Sequence, residues 1–330
     1  MTGIGVRFHT GIAVRFATGI SVRFAPDFTC ANKSSNMMII LKKMFPNIKK
    51  DNISLEMIFN ILETAIEKEN GIGEIGFEKI LECRRDLVKS IAFATRIPGN
   101  GLKYDIRTKS NISPYTVLGR KLAQFYRKIY EKSDVIERLK ISFITFNYDI
   151  CLDRVLVSMY DEIDKSKTID IELGMDLGSY KLNKGHFLHF YKPSERKILL
   201  LRPHGSLNWL YCRSCGKLFS TREYHIPKDY YYNKKKCPLC TWGILSPYII
   251  HPSYNHIYNQ PFATQIWDLV ENTLSEANKW YFIGYSFSDA DRYFQYVLKR
   301  AYVQKKPQIF VVDYKGRFSN NFNNLVNKYR

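Results

Sequence analysis

Ile198-Leu199-Leu200-Leu201-Arg202-Pro203-His204-Gly205-Ser206 is an apolar run that stops on a proline, a histidine and a glycine, and Cys212-Arg213-Ser214-Cys215 follows closely. The first part has the length and composition of a buried parallel strand that delivers polar groups at its C-terminal end. The second opens a CxxC–x21–CxxC pattern, completed by Cys237 and Cys240, whose first cysteine lies eight residues after His204. Two such knuckles close one tetrahedral thiolate shell around Zn²⁺ and leave no ligand position for water. A shell of that kind builds structure and performs no reaction. Chemistry is therefore to be sought beside it, first at His204. A disulfide pairing is the other reading of four cysteines, and the 21-residue spacing with lysine- and tyrosine-rich filler favours zinc.

Three further runs share the form of the first. Ile141-Ser142-Phe143-Ile144-Thr145-Phe146 ends at Asn147-Tyr148-Asp149, Trp280-Tyr281-Phe282-Ile283 ends at Gly284-Tyr285-Ser286, and Gln308-Ile309-Phe310-Val311-Val312 ends at Asp313. Helices are expected over 151–160 and 262–278. Strands alternating with helices predict an α/β fold, an open Rossmann-like parallel sheet with helices on both faces. Ligands of such sheets lie in the crevice beyond the C-terminal strand ends. Here those ends carry Asn147, Asp149, His204, Gly284, Ser286 and Asp313.

Each of these residues has a plain structural alternative. A neutral imidazole at His204 suits a general base near neutral pH, and Gly205 lets a ligand approach the backbone closely. Taken alone, the same histidine reads more readily as an ordinary strand-end residue, and its setting beside the cysteine pattern shifts the reading toward function. Asn147 and Asp149 supply an amide and a carboxylate, but an Asn-Xaa-Asp turn also caps a following helix. Gly284-Tyr285-Ser286 offers a tight turn with backbone N–H groups suited to phosphate, and Asp313 is placed to accept hydrogen bonds from ribose hydroxyls.

Upstream of these runs the chain reads differently. Its first 25 residues repeat with a period of eight, as Thr2-Gly3-Ile4-Gly5-Val6-Arg7-Phe8 recurs from Thr10 and from Thr18. Each copy has a strand-like core bounded by Thr-Gly, and three copies are too few for a solenoid. Leu55, Ile58, Phe59, Leu62 and Ile66 have helical spacing behind Ser54 as N-cap, and further helices are expected over 77–94 and 115–130. The Gly-, Asn- and Pro-rich stretch 96–114 reads as a loop.

The whole chain of 330 residues is long enough for a large domain with inserts. Its 50 basic and 31 acidic residues, net +19, favour anionic partners: nucleotides, nucleic acid or acidic surfaces. The lysine runs are short and scattered, as on a solvated surface. Outside the CxxC pairs the cysteines are Cys30, Cys83 and Cys151, an odd number that argues for a reducing, cytoplasmic setting rather than a secreted disulfide framework. No run of eighteen apolar residues and no signal-peptide core are present, so no membrane partner is expected.

Taken together, these motifs resemble the sirtuin family. His204-Gly205-Ser206-Leu207 running into Cys212-Arg213-Ser214-Cys215-Gly216 is similar to the family's histidine–glycine step and zinc module, and Cys237-Pro238-Leu239-Cys240 with Gly243-Ile244-Leu245-Ser246-Pro247 resembles the module's exit. Thr145-Phe146-Asn147-Tyr148-Asp149 looks like its Thr-Gln-Asn-Ile-Asp motif, Gly284-Tyr285-Ser286 like its Gly-Thr-Ser turn, and Val312-Asp313 like its later strand end. The family's Gly-Ala-Gly-Ile-Ser loop and Pro-Asp-Phe-Arg segment have their nearest counterparts in Ala17-Thr18-Gly19-Ile20-Ser21 and Pro26-Asp27-Phe28-Thr29. One glycine and the arginine are replaced there, and Phe146 stands where the family has glutamine.

The resemblance implies NAD⁺ as ligand and Zn²⁺ as structural metal. It makes residues 1–30 a repetitive strand and loop segment carrying the cofactor loop, 31–135 a helical module, 136–206 with 247–330 a Rossmann-like NAD-binding domain, and 207–246 a zinc-ribbon insert. His204, Asn147 and Asp149 would be catalytic, and Gly19, Ile20, Ser21, Asp27, Phe28, Thr145, Gly284, Ser286 and Asp313 would hold the cofactor. Peptide-binding members carry a Val-Val-Phe-Gly-Glu-like strand after the second cysteine pair, where this chain has Ile249-Ile250-His251-Pro252-Ser253. A proline disfavours backbone pairing with an extended acylated peptide. The expectation is therefore an enzyme cleaving NAD⁺ to nicotinamide and ADP-ribose, as in the divergent prokaryotic branch that often consumes NAD⁺ in defence against phage. The alternatives are an NAD-dependent protein-lysine deacylase and a non-catalytic zinc-ribbon protein binding nucleotide or nucleic acid.

Overall fold

The computed structural model describes residues 13–15, 21–23, 43, 55–94, 118, 121–122, 124, 141–153, 156, 170–175, 178–179, 197–220, 236–250, 262–283, 285, 287 and 291–312. In chain order these form β1 (Ala13–Arg15), β2 (Ser21–Arg23), α1 (Leu55–Glu67), α2 (Phe77–Ala94), β3 (Ser142–Ile144), β4 (Asp170–Glu172), β5 (Gly178–Ser179) and β6 (Lys197–Leu201). There follow β7 (Gly205–Cys212), β8 (Leu218–Ser220), β9 (Leu245–Ile249), α3 (Ala263–Glu276), β10 (Lys279–Ile283), α4 (Arg292–Lys305) and β11 (Gln308–Val312). Two compact units divide them, one holding the residues up to Ala94 and from Glu271 onward, the other the 141–250 and 261–270 stretches.

In the first unit, α1 buries Ile58, Phe59, Leu62 and Ala65, the face set by the three- and four-residue spacing of its apolar positions. Two residues past its end, Glu69 has a left-handed φ of 51° and turns the chain off the helical path. Helix α2 buries Ile80, Cys83, Leu87 and Val88 in the same pattern. The Arg84 Nε to Glu63 Oε1 ion pair, 2.6 Å long and half-buried, ties the two helices together. Burial and the nearby Asp86 push the Cys83 thiol up to about 12, so it is an inert interior group. The expected helix over 115–130 has helical Leu118, Lys121, Leu122 and Gln124 among its described residues, and the rest of it lies outside them.

Strands β10 and β11 of this unit pair in parallel, from Lys279↔Gln308 to Ile283↔Val312. Between them α4 buries Phe294, Val297, Leu298 and Ala301, and closes on Lys306, whose left-handed backbone sends its N–H to the Tyr302 carbonyl. That is a right-sized crossover for a parallel pair. The N-terminal repeat contributes β1 and β2, paired antiparallel from Ala13↔Arg23 to Arg15↔Ser21.

The second unit contains two sheets. Strands β3, β6 and β4 form a parallel sheet with β6 in the centre. The apolar runs 141–146 and 198–201 are thus paired strands, with Leu200 and Leu201 fully buried. Strand β4 was not anticipated, since Asp170-Ile171-Glu172 has one apolar residue between two acids. The other sheet has the order β5-β8-β7-β9, with β7 antiparallel to both β8 and β9. Its β7–β9 pairing begins at Gly205↔Ile249, so the strand that ends at Cys212 starts one residue after His204. Among the described residues no helix is long and apolar enough to cross a membrane.

Candidate functional site

The C-terminal end of β6 runs straight into the turn that starts β7. Gly205 N donates to the Arg202 carbonyl at 2.9 Å, which closes a tight turn around Pro203 and His204. Gly205 has φ +73°, and a Cβ there would collide with the Tyr248 carbonyl of β9. The glycine expected to admit a ligand is therefore occupied by the neighbouring strand. Its task is to let the chain turn from a parallel strand into an antiparallel one. Gly205→Ala is expected to destabilise the protein by about 2–4 kcal/mol, from left-handed strain plus backbone overlap, read as a lower midpoint in urea unfolding.

His204 itself is buried, at 5% exposure. Its ring meets Phe146 edge-on at 4.8 Å, with Tyr148 and Trp267 each 6.4 Å away. Its carbonyl accepts the Ile250 N–H at 2.9 Å. Phe146, which stands where the resemblance expects glutamine, is thus a wall of the histidine's surroundings. Trp267 arrives from α3 and had no signal in the sequence beyond being an apolar position on a helix.

The end of β3 lies against the same turn. Thr145 N donates to the Leu201 carbonyl at 3.0 Å, one step past the β3–β6 register, and Leu207 N donates to the Tyr148 carbonyl at 2.9 Å. Asn147 N donates to Thr145 Oγ1 at 3.3 Å. Asp149 Oδ1 accepts the Cys151 N–H at 2.8 Å, where helical conformation begins. Asp149 therefore does cap the following turn, as the structural alternative required. Thr145, Asn147, Asp149 and His204 are gathered at adjacent ends of two parallel strands. Ser21 opens β2, paired with Arg15. Gly19, Ile20, Asp27, Phe28, Gly284, Ser286 and Asp313 lie outside the described residues, as do His251 and Pro252.

Two residues of this site carried no warning in the sequence. The Arg202 side chain is fully buried; its Nη1 donates to the Asn147 carbonyl at 2.9 Å and its Nη2 pairs with the Asp153 carboxylate. A charged residue after an apolar run reads as a strand meeting solvent, which is why neither partner stood out.

At the far end of β7 the four cysteine sulfurs of Cys212, Cys215, Cys237 and Cys240 lie within 4.8 Å of one another. Cys212 to Cys240 is 3.7 Å and Cys215 to Cys237 is 3.6 Å. A tetrahedron with Zn–S bonds of about 2.3 Å has sulfur–sulfur edges of about 3.8 Å, so the cluster fits zinc in size and in donor type. Burial opposes charge on Cys212, but hydrogen bonds from Cys215, Ser214 and Cys237 outweigh it and bring the thiol down to about 7. Burial with the neighbouring Cys212 and Cys237 pushes Cys215 up to about 12. Four sulfurs this close do not all ionise on their own, and a bound cation such as Zn²⁺ would hold them as thiolates. Gly243 makes room for them: a Cβ there would stand 2.5 Å from Cys212 Sγ and 2.9 Å from Cys240 Sγ, and Gly243 N donates to Cys240 Sγ at 3.3 Å. Gly243→Ala is expected to weaken zinc retention by about 10–100-fold in competition with a chromogenic chelator.

Residues 141–330 match the SIR2-like domain family, and the chain belongs to that family. No curated protein matches it. Among solved structures, a serine-to-alanine mutant of a Sir2 homologue in complex with ADP-ribose is 16% identical, over 71% of this chain and 84% of that one, with a TM-score of 0.31. A phenylalanine-to-alanine mutant of a Sir2 homologue, also with ADP-ribose, is 14% identical over 84% of this chain and 97% of its own, with a TM-score of 0.36. A histidine-to-alanine Sir2 with a deacetylated peptide and 3′-O-acetyl ADP-ribose is 15% identical over 66% and 74%, with a TM-score of 0.28.

Proposed function

We propose that this chain cleaves NAD⁺ to nicotinamide and ADP-ribose, with water as acceptor. The observation that carries the reading is the meeting of Thr145, Asn147 and Asp149 with the buried His204 at adjacent strand ends, in a SIR2-like chain. The bond between the ribose C1′ and the nicotinamide nitrogen breaks, and its electron pair leaves with nicotinamide. Water adds its oxygen to the oxocarbenium-like C1′ and gives up a proton. His204 acts as base toward a ribose hydroxyl, Asn147 positions the attacking group, and Asp149 supports the nicotinamide pocket while it caps the helix behind it. Thr145, Gly284, Ser286 and Asp313, with Gly19, Ile20, Ser21, Asp27 and Phe28, hold the dinucleotide. Cys212, Cys215, Cys237 and Cys240 hold Zn²⁺, which anchors the strand leading away from His204 and takes no part in the reaction.

The proposed domains are those of the sequence reading: an N-terminal segment with the cofactor loop, a helical module, the NAD-binding domain and the ribbon. Depletion of NAD⁺ by such an enzyme would suit a role in defence against phage. The acceptor is the point to test. Products are identified by mass spectrometry with and without an acetyl-lysine peptide. Free ADP-ribose at an unchanged rate in both supports water. Nicotinamide release that requires the peptide and yields acetylated ADP-ribose would instead make the chain a deacylase. No release, with salt-sensitive binding of nucleic acid, would favour a non-catalytic zinc-ribbon protein.

A further inference from the structure

Among the described residues, the charged side chain fully buried behind the candidate site is Arg202, and the reaction outlined above leaves it without a task. It lies between Leu201, the last residue of β6, and the Pro203-His204 turn. Its guanidinium reaches across to the neighbouring segment at two points: Nη1 to the Asn147 carbonyl, and Nη2 to the Asp153 carboxylate. Asp153 lies on the first turn of the helix that Asp149 caps. One planar fork therefore spans the whole stretch from Asn147 to Asp153 and joins it to the residue two before His204.

Stability alone does not account for this choice. A buried ion pair rarely outperforms apolar side chains of the same volume, because both charges lose their water. Arg202 is further penalised: its Nε is buried and has no partner among the described residues. What the guanidinium supplies, and a methionine would not, is a directed hydrogen bond to the Asn147 main chain. Beyond the strand pairing, backbone bonds join the two segments on either side, Thr145 to Leu201 and Leu207 to Tyr148, and the rings of Phe146 and Tyr148 approach His204. Asn147 lies between them, and the Arg202 guanidinium holds its carbonyl.

We propose that Arg202, neutralised by Asp153, is a positioning residue that holds the Asn147–Asp153 segment in register with His204. It touches no substrate and acts through Asn147. Its kinetic consequence rests on the NAD⁺-cleavage reading, but its structural consequence does not, and the test reads both.

The decisive variant is the double replacement Arg202→Met with Asp153→Leu, which removes both charges and keeps the volume, so the fold has reason to survive. Arg202→Lys is the conservative companion, keeping charge but losing the fork. In each, amide hydrogen exchange is followed at Leu207, which reports the bond to Tyr148, and at Cys212, which reports the ribbon through its bond to Lys217. The kcat and KM for NAD⁺ are measured on the same samples. In the double variant, Cys212 protection and zinc content are expected to hold, Leu207 protection to fall about tenfold, and kcat to fall about a hundredfold with KM little changed. Arg202→Lys should lie between it and the parent. Unaltered Leu207 protection and kcat in a folded double variant would overturn the proposal, and so would a raised KM with unaltered kcat. If the double variant does not fold, Arg202→Lys decides by the same two readouts. If the parent releases no nicotinamide, the NAD⁺ reading fails while the exchange comparison still decides the role of Arg202.

Discussion

His204→Ala is expected to lower nicotinamide release from NAD⁺ by about three orders of magnitude while zinc content and unfolding midpoint change little. The contrast follows from how the residue is held. Its backbone role, accepting the Ile250 N–H, is independent of the side chain. Its ring meets Phe146, Tyr148 and Trp267 in edge-on and tilted approaches, so truncation opens a small gap among aromatic rings. An ordinary packing histidine would show the reverse, with stability falling and the residual activity per folded molecule preserved. Activity per folded molecule, from rates normalised to zinc content, therefore separates the two roles of a buried imidazole.

Cys212→Ser is expected to have the largest structural effect of any single change. Cys212 is buried at the end of β7, with its sulfur 3.7 Å from that of Cys240. Four-thiolate zinc binding is worth roughly 10 kcal/mol or more in small zinc modules, comparable to the roughly 5–15 kcal/mol that holds a whole domain folded. The described ribbon has little else to hold it: its cluster of buried residues is Leu210, Phe219 and Leu245 with the cysteines themselves. Because β7 runs from Gly205 to Cys212, loosening at the thiolates is carried to the turn that presents His204. The variant should lose bound zinc by metal analysis, expose the 236–250 stretch to protease and lose nicotinamide release. A variant that keeps its zinc and its protease resistance would contradict the assignment of Cys212 as ligand.

Much of this was legible in the chain because the features are local. The runs at 280–283 and 308–312 are strands since apolar, β-branched and aromatic residues sit between turn-formers, and the helix over 77–94 is spaced by its own periodicity. The cysteines announce themselves because a four-thiolate shell needs that spacing. What the sequence concealed depends on distant partners. Nothing near Gly205 says that the Tyr248 carbonyl will fill its open side, and nothing near Arg202 says that Asp153 awaits it. Trp267 faces His204 only because α3 packs there. Asp149 had two readings, and the cap is the one its hydrogen bond to the Cys151 N–H supports directly.

The central claim is NAD⁺ cleavage without a protein substrate. The most direct test is a time course of zinc-loaded, purified protein with NAD⁺ alone, following nicotinamide and ADP-ribose by chromatography. Equal amounts of both products, growing linearly with enzyme concentration and absent from His204→Ala, are the predicted result. Intact NAD⁺ after prolonged incubation with folded, zinc-replete protein would contradict it.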